Sequence, residues 1–309
     1  MYLYSNIIGS FVLSKELKVI DSLEFEDIED YIHKYQFENK LQQKHKNLQP
    51  LPDYKEREML VLFKEDKYME KFYKRNLELA KHKLKLSVTE DQLIIQAIAN
   101  TQELDRVINL LSKRLREWYS LYYPELAEYM THHEKFAEMV ATKTRKELLQ
   151  GKTMGADLDE VHVKQMTLLA KQILGTFELQ KQHKEYLKYI MEKYCPNILE
   201  LAGTTIGAKL LELSKGLKRL AMLPASTIQL LGAEKALFRH LKTGARSPKY
   251  GAIFHHPIVQ NAPRSDRGKA ARVLADKLTL CARLDYFKGE FKAPEYKKLL
   301  EEKFNVTKD

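Results

Sequence analysis

The chain of 309 residues is 44% hydrophobic and 30% charged, a composition typical of a folded, helix-rich protein with two or three domains. Its net charge of +10 lies at one end, because residues 201–309 carry 21 lysines and arginines against 10 acids. Charge this one-sided favours a polyanion as partner, since neutralising phosphates releases counterions. No apolar run is long enough for a membrane helix and the first 13 residues lack the features of a signal peptide, so we expect a cytoplasmic protein.

The first third, residues 1–88, predicts a small mixed α/β domain. Three segments rich in β-branched and aromatic residues predict strands: Tyr2–Leu13, with a turn signal at Ile8-Gly9-Ser10, Val19–Phe25 and Met59–Phe63. Two segments with apolar residues at helical spacing predict helices: Asp27–Phe37 and about Lys67 to Lys85. The second of these helices leads out of the domain.

The middle third, residues 89–198, has few glycines and prolines and shows coiled-coil spacing. Apolar residues recur every four and three positions along a first long helix, until Pro124 ends it: Leu104, Ile108, Leu111, Leu115, Trp118 and Tyr122. A short helix around Glu125–Ala141 and a glycine-containing turn at Gly151–Gly155 follow. The pattern predicts the first half of an antiparallel hairpin.

The second long helix of the hairpin is predicted from about Leu158 to Tyr194. Its apolar seam weakens at Gln180 and His183 and then resumes. Such a hairpin cannot bury both of its faces alone, so it either packs within its own domain or pairs with a second copy. The pattern leaves both possibilities open. For pairing, the candidate residues lie on the seam of this helix: Leu169, Ile173, Phe177 and Leu187.

The last third, residues 199–309, predicts a compact all-helical domain. Gly203 and Gly207 fall in a helix-compatible run and indicate close helix packing, not a phosphate-binding loop, because no strand precedes them. Ser265 is the expected cap of a long helix that ends near Phe287 and is closed by Lys288-Gly289.

One short helix of this domain, Leu231–Lys242, carries two opposite stripes. Lys235, Arg239 and Lys242 fall in one narrow sector at 100° per residue, and Ala233, Leu237 and Leu241 point the other way. Phe238 lies at the border between them. We expect the apolar stripe to pack on the domain and the cations to be displayed, with an ordinary charge-decorated surface helix as the simpler interpretation.

The sequence shows no catalytic or metal-binding motif. The adjacent pairs His132-His133 and His255-His256 point to different sides of any helix or strand, so we expect surface or capping histidines. Cys195 and Cys281 lack metal-site spacing and predict buried free thiols.

Several long segments together resemble a known family. The segment PASTIQLLGAEKALFRHLK (Pro224–Lys242), followed by PKYGAIFHH and RGKAARVLADKLTLCARLDYF, resembles the Nop domain. The segment LSKRLREWYSLYYPEL (Leu111–Leu126) is similar to the coiled coil that precedes that domain in the scaffold proteins of box C/D ribonucleoproteins. The likeness is highly specific from Pro224 to Phe287 and weakest before about Glu90. The chain ends without the long lysine- and acid-rich tail of eukaryotic members, which makes it similar to archaeal ones.

The resemblance implies a mainly α fold: an N-terminal α/β domain over residues 1–88, a coiled-coil dimerisation domain over 89–198 and a Nop domain over 199–309. It also implies a non-catalytic scaffold of an RNA-guided 2′-O-methyltransferase acting on rRNA or tRNA. The partners implied are a box C/D guide RNA, a small kink-turn-binding ribosomal-protein-like protein, fibrillarin and a second copy of the chain. No cofactor or metal is expected on this chain, since S-adenosylmethionine belongs to fibrillarin.

The family's motifs also imply which residues contact RNA. The GAEK turn and ALFR helix correspond here to consecutive positions: Gly232, Ala233, Glu234, Lys235, Ala236, Leu237, Phe238 and Arg239. Five further residues are added on charge alone: Lys242, Lys249, Arg264, Lys269 and Arg272.

Other functions stay open at this point. A spliceosome-type Nop protein would bind the same composite surface without a methyltransferase. A generic basic RNA-binding module would bind a kink-turn without help and with a steep salt dependence. An anionic membrane could use the same charge, although no wide apolar face accompanies it. Methyl transfer by the chain itself is disfavoured, because no cofactor loop is visible.

Overall fold

The computed structural model describes residues 1–63, 66–148 and 152–304. The chain divides into two compact units, residues 1–89 and 90–309. The first contains the small sheet, and the regular elements among the described residues of the second are all helices, which confirms the predicted mainly α fold with a small N-terminal α/β part. In the part of the chain that the structure describes, no helix is long and apolar enough to span a membrane.

The first unit is built on a four-stranded sheet in the order β3-β2-β1-β4. The strands are β1 (Tyr2–Ser5), β2 (Gly9–Leu13), β3 (Val19–Glu24) and β4 (Gln49–Pro50). Only β4 pairs in parallel, with β1. The first turn is made by Asn6, whose side chain accepts from the Ile8 N–H at 2.8 Å, and not by Gly9. Gly9 instead lies inside β2, where a Cβ would stand 2.5 Å from the carbonyl oxygen of Leu23.

Among its described residues, the first unit also contains the helices α1 (Ile28–Ile32), α2 (Lys34–Lys44), α3 (Asp53–Leu62) and α4 (Asp66–Leu86). The predicted helix over Asp27–Phe37 is thus two helices, interrupted at His33. The predicted strand Met59–Phe63 is wrong, because Met59 lies within α3 and both it and Phe63 are buried. Two apolar residues four positions apart fit one helix face. So short an apolar run cannot distinguish the helical period of about 3.6 residues from the strand period of about 2.

The second unit begins with a long helical hairpin. Its arms are α5 (Glu90–Tyr119) and α9 (Glu160–Tyr194), and three short helices lie between them: α6 (Pro124–Tyr129), α7 (His133–Thr142) and α8 (Arg145–Leu148). The two predicted long helices are confirmed, whereas the single helix predicted over Glu125–Ala141 is two. The predicted turn Gly151–Gly155 begins outside the described residues.

The weak part of the α9 seam is a polar layer inside the hairpin. The amide of Gln180, which is 6% exposed, donates to the Asp105 carboxylate at 2.5 Å and accepts from Lys184 at 3.0 Å. The side chains of Asn100 and His183 are 3.3 Å apart one turn away. Paired polar groups in an apolar seam favour a single register, because a slip would leave them unpaired.

One central helix, α15 (Arg267–Tyr286), packs against most of the remaining elements. They are α10 (Pro196–Ser214), α11 (Leu217–Met222), α12 (Ala225–Leu230), a 3-10 turn (Ala252–His255), α14 (Pro257–Gln260) and α16 (Ala293–Phe304), whereas α13 (Glu234–Thr243) lies outside this packed group. The buried face of α15 is rich in alanine, which lets its neighbours approach closely. The helix begins two residues after Ser265, so Ser265 is not its cap as predicted; Asp266 occupies that position.

Four smaller predictions can be compared with this unit. A Cβ on Gly207 would stand 2.8 Å from the Met191 side chain, which confirms close packing there. Gly203 has open space around it and a φ of 74°, so it marks a kink in α10 instead. Both cysteines are buried and free. His256 caps α14, accepting from the Ile258 N–H at 3.3 Å.

The junction of the hairpin with α15 and α16 is a buried network around Asp285 and Asn197. The Asp285 carboxylate accepts from the backbone N–H groups of Asn197 and Ile198, at 3.0 and 2.9 Å, and from the Asn197 side chain at 2.9 Å. The Asn197 side-chain oxygen in turn accepts from the N–H groups at the start of α16, those of Lys292 and Ala293. Burial raises the pKa of Asp285, and the three donors oppose that shift.

We predict that Asp285→Ala lowers the free energy of unfolding of the chain by about 3 kcal/mol, because it leaves buried donors without an acceptor. Urea unfolding followed by circular dichroism measures this. The control is Asp276→Ala, which removes an exposed carboxylate from the same helix and should cost no more than about 0.5 kcal/mol. Equal losses in the two variants would contradict the proposed importance of the network.

Candidate nucleic-acid interface

The basic helix α13 stands between two glycines in left-handed conformation. Gly232, before the helix, has a φ of 88°, and Gly244, after it, has a φ of 68°. The Gly244 N–H closes the helix by donating to the His240 carbonyl at 2.9 Å. All ten residues of α13 are described, and none of their side chains is buried. The sequence Gly-Ala-Glu-Lys…Thr-Gly therefore encodes a short helix with a sharp corner at each end.

The cationic face of α13 is displayed as predicted. Lys235, Arg239 and Lys242 are all exposed, and the border residue Phe238 is 60% exposed. The predicted packing of the apolar stripe is wrong, however. Leu237 is only half-buried and Leu241 is 69% exposed. Helical periodicity shows which face is apolar, but it does not show whether the chain has anything to cover it.

The corner before α13 is held by a second stretch of chain. The Gly251 N–H donates to the Gln229 carbonyl at 2.8 Å, and the Ala252 N–H donates to the Leu231 carbonyl at 2.7 Å. The Gln229 side chain donates to the Lys249 carbonyl at 2.6 Å. Residues 229–231 and 249–252 are thus paired like a short ribbon, which fixes the point from which α13 projects.

Glu234, the one acid of the basic segment, has a local structural partner. Its carboxylate accepts from the Gly232 N–H at 2.7 Å, which satisfies a donor just before the helix. Acidic groups at a helix N-terminus are also favoured by the helix dipole. The GAEK turn is therefore self-stabilised, with Ala233 half-buried and Lys235 and Ala236 facing solvent.

Four of the five residues added on charge alone gather near the start of α15, and the fifth, Lys242, lies on α13. The Lys249 side chain runs past Gly268, where a Cβ would lie 3.6 Å from Lys249 Cδ. Arg264, Lys269 and Arg272 are exposed around the same helix start. The pairing of residues 229–231 with 249–252 places Lys249 next to the corner of α13. The structure therefore links α13 to this second basic cluster through one ribbon.

Arg267 is basic but has a structural role. Its guanidinium donates to the carbonyls of Ala262 and Gln260, at 3.1 and 3.0 Å, and lies 5.7 Å from the Phe254 ring centroid. Tyr250 stacks on that same ring at 4.7 Å. Gln229, Gly251 and Arg267 support the site, and sequence reasoning assigned this structural role to none of them. The one sequence signal for this support was the pair Tyr250-Gly251, which lies in the turn before the 3-10 segment.

The four residues predicted for dimerisation lie inside the hairpin. Ile173 and Leu187 are 0% and 1% exposed and belong to its own apolar core. Leu169 and Phe177 are half-buried and pack against the same core. These side chains therefore stabilise the hairpin itself.

The residues that the structure describes, which leave out 64–65, 149–151 and 305–309, contain no cluster of three or more His, Cys, Asp or Glu side chains arranged to hold a metal ion. The arrangement that they do contain is a displayed cationic helix with an uncovered apolar edge on a rigid helical body. This defines a binding surface of the kind that nucleic-acid-binding proteins use.

Comparison with known proteins also indicates a nucleic-acid-binding family. The family model Nop, described as snoRNA binding domain, fibrillarin, matches residues 100–306. An uncharacterised NOP5 family protein of Methanocaldococcus jannaschii is 40% identical over 251 residues, which cover 74% of this chain and 60% of the relative. Nucleolar protein 58 of Aspergillus terreus is 36% identical over 228 residues, 67% of this chain and 40% of the relative. The chain belongs to the Nop family, and it spans only part of the length of these relatives.

A solved structure of a fibrillarin/Nop5p complex is also similar. It covers 99% of this chain and 100% of that chain, with 24% sequence identity and a TM-score of 0.47.

We predict that Gly251→Ala destabilises the site, because the added Cβ would stand 2.0 Å from the Leu231 carbonyl oxygen and would force the ribbon apart. The expected loss is about 1–3 kcal/mol of unfolding free energy, measured by thermal or urea unfolding. Gly268→Ala is the matched control. It adds the same methyl group nearby at an ordinary contact distance, so its stability should be unchanged or slightly higher. A Gly251→Ala variant as stable as this control would contradict the tight pairing.

Proposed function

We propose that the chain is the scaffold subunit of a box C/D RNA-guided 2′-O-methyltransferase ribonucleoprotein. It binds the kink-turn of a guide RNA together with the small kink-turn-binding protein, and it positions fibrillarin on an rRNA or tRNA target in the cytoplasm. The chain is non-catalytic, and fibrillarin supplies the S-adenosylmethionine site. Its contribution to rate is positioning, which can replace much of the entropic cost of bringing reactants together.

The observation that carries this proposal is that both faces of α13 are open. Lys235, Arg239 and Lys242 can neutralise phosphates, and such contacts orient a protein on RNA without reading much sequence. A generic phosphate-binding helix has no need for an uncovered Phe238 and Leu241 beside its cations. A composite partner made of RNA and a protein would cover both stripes at once.

Family membership supports the rest of the assembly. The Nop description names both snoRNA binding and fibrillarin, and it fits residues 100–306. We assign fibrillarin to the N-terminal α/β unit, because the second unit already carries the basic surface and the hairpin. A spliceosome-type Nop protein would share the second unit without holding a methyltransferase.

The test is a gel-shift titration on a box C/D kink-turn RNA, with and without the kink-turn-binding protein, at two salt concentrations. We expect tight binding only with that protein. Lys235→Ala/Arg239→Ala should weaken assembly at least tenfold and lower the salt slope by about two, since two phosphates would no longer be neutralised. The matched control, Lys298→Ala/Lys303→Ala, removes two cations from α16 and should bind like the unmodified chain.

Equal binding without the small protein, collapsing at higher salt, would reject composite recognition in favour of a generic basic surface. Addition of fibrillarin to the assembled complex should give a further shift. Normal RNA assembly without any binding of fibrillarin would identify the spliceosome-type alternative.

We further propose that the chain forms a homodimer through the outer face of α9. Four apolar residues fall within about 20° of one another on that helix and are 42–69% exposed: Val161, Leu168, Leu179 and Tyr186. Gly175 lies near the same stripe, and a Cβ there would meet nothing within 4 Å. An apolar stripe with a gap of this kind suits close approach of another helix.

Leu168→Glu/Leu179→Glu should halve the mass measured by sedimentation equilibrium, because it places charge in the proposed interface. Kink-turn binding with the small protein should persist. Leu299→Glu, which adds one charge at an exposed apolar site on α16, is the control and should leave the mass unchanged. If the Leu168→Glu/Leu179→Glu variant still sediments with the mass of the dimer, this interface is rejected. Ile173→Glu would be uninformative, since that residue is needed for the hairpin to fold.

A further inference from the structure

The loop between α15 and α16, residues 287–292, is exposed yet firmly held. The Asn197 side-chain oxygen accepts from the Lys292 N–H at 2.8 Å, and the Asn197 amide nitrogen donates to the Glu290 carbonyl at 3.3 Å. The Gly289 N–H donates to the Leu284 carbonyl at 2.8 Å. A Cβ on Gly289 would stand 2.9 Å from the Leu284 side chain. The end of the loop is thus fixed by Asn197 of the buried Asp285 network, and its start is fixed by the closing turn of α15.

This rigid loop displays two phenylalanines. Phe287 is 64% exposed and Phe291 is 55% exposed. The Tyr286 ring supports Phe287 edge-on, with ring centroids 4.9 Å apart. A single exposed apolar residue is ordinary, but two large rings on a preorganised six-residue loop form a binding feature. Preorganisation matters because a loop that is already ordered loses little entropy when a ligand binds.

Cations accompany both rings. Lys288, in left-handed conformation with a φ of 56°, places its ammonium group 5.1 Å from the Tyr194 ring centroid. Lys292 is paired with Glu290 at 2.9 Å, and Glu290 is the one acid in the six-residue sequence. The loop itself thus carries two lysines and one acid. Lysines beside exposed aromatic rings favour a polyanion over an apolar protein surface as the occupant.

We propose that this loop is a second RNA site that binds unpaired nucleotides, with bases stacked on Phe287 and Phe291 and a phosphate near Lys288. Aromatic rings beside cations are the usual means of holding single strands without sequence preference. The site is separate from the basic cluster at the start of α15, because the 20 residues of that helix span about 30 Å. The inference rests on the proposed RNA function only for the class of ligand, since α13 takes no part in it.

The test is fluorescence anisotropy of the full chain with a labelled 12-nucleotide oligouridylate and with an RNA duplex of the same length. Phe287→Ala/Phe291→Ala should raise the dissociation constant for the single strand at least tenfold, and it should change duplex binding less than twofold. Phe287→Tyr/Phe291→Tyr keeps the rings and should keep the affinity. Leu299→Ala, which truncates an exposed apolar residue on α16, is the matched control.

Because both rings are exposed, the alanine pair should unfold at the same temperature as the original chain. Lys235→Ala/Arg239→Ala should lose kink-turn assembly and keep oligouridylate binding, which separates failure of this inference from failure of the scaffold proposal. Unchanged single-strand affinity in the alanine pair overturns the proposal. Loss of fibrillarin binding or dimerisation in that pair, with RNA affinity intact, also overturns it and identifies the loop as a protein contact.

Discussion

The second unit depends on one buried carboxylate. Asp285, near the end of α15, accepts hydrogen bonds from the chain at the point where α9 gives way to α10, and through Asn197 it also sets the start of α16. Burying a charge is costly unless donors satisfy it, and burial raises the pKa of Asp285 while the hydrogen bonds that it accepts oppose that shift. The hairpin, the central helix and the last helix share this junction. The loop with Phe287 and Phe291 is held by it as well.

The basic helix α13, in contrast, is attached to the second unit without buried side chains of its own. Its position comes from the paired backbone of residues 229–231 and 249–252 and from glycine corners, with no side chain buried. A helix of ten residues with no buried side chain has little stability of its own, because nucleation and backbone ordering are poorly compensated at that length. A partner that covers its two stripes would supply the missing packing. Recognition and ordering of this helix would then be coupled, while the body that carries it stays rigid.

The hairpin combines an apolar core with a buried polar layer. Its core is apolar towards both ends, and Gln180, Asp105 and Lys184 form a polar layer where the apolar seam lapses. In the sequence, this interruption of the apolar seam was visible only as a weak part of a coiled-coil pattern. In the structure it is a set of hydrogen bonds between the two arms, which resists slippage. The register in turn decides which α9 residues face outward, and therefore where a second copy could pack.

The sequence by itself determined the helical character of the chain, the two long arms of the hairpin, the burial of both cysteines and the sector that Lys235, Arg239 and Lys242 share. These follow from periodicity, composition and local geometry, which act within a few residues. It failed at Met59, where a five-residue apolar run suits a strand or a helix equally. Only the tertiary structure decided that Leu241 is uncovered, that Ile173 and Leu187 face inward, and that Gly251 and Asp285 hold distant segments together. Those outcomes depend on contacts between residues far apart in the chain, and no local pattern encodes what a given face will meet.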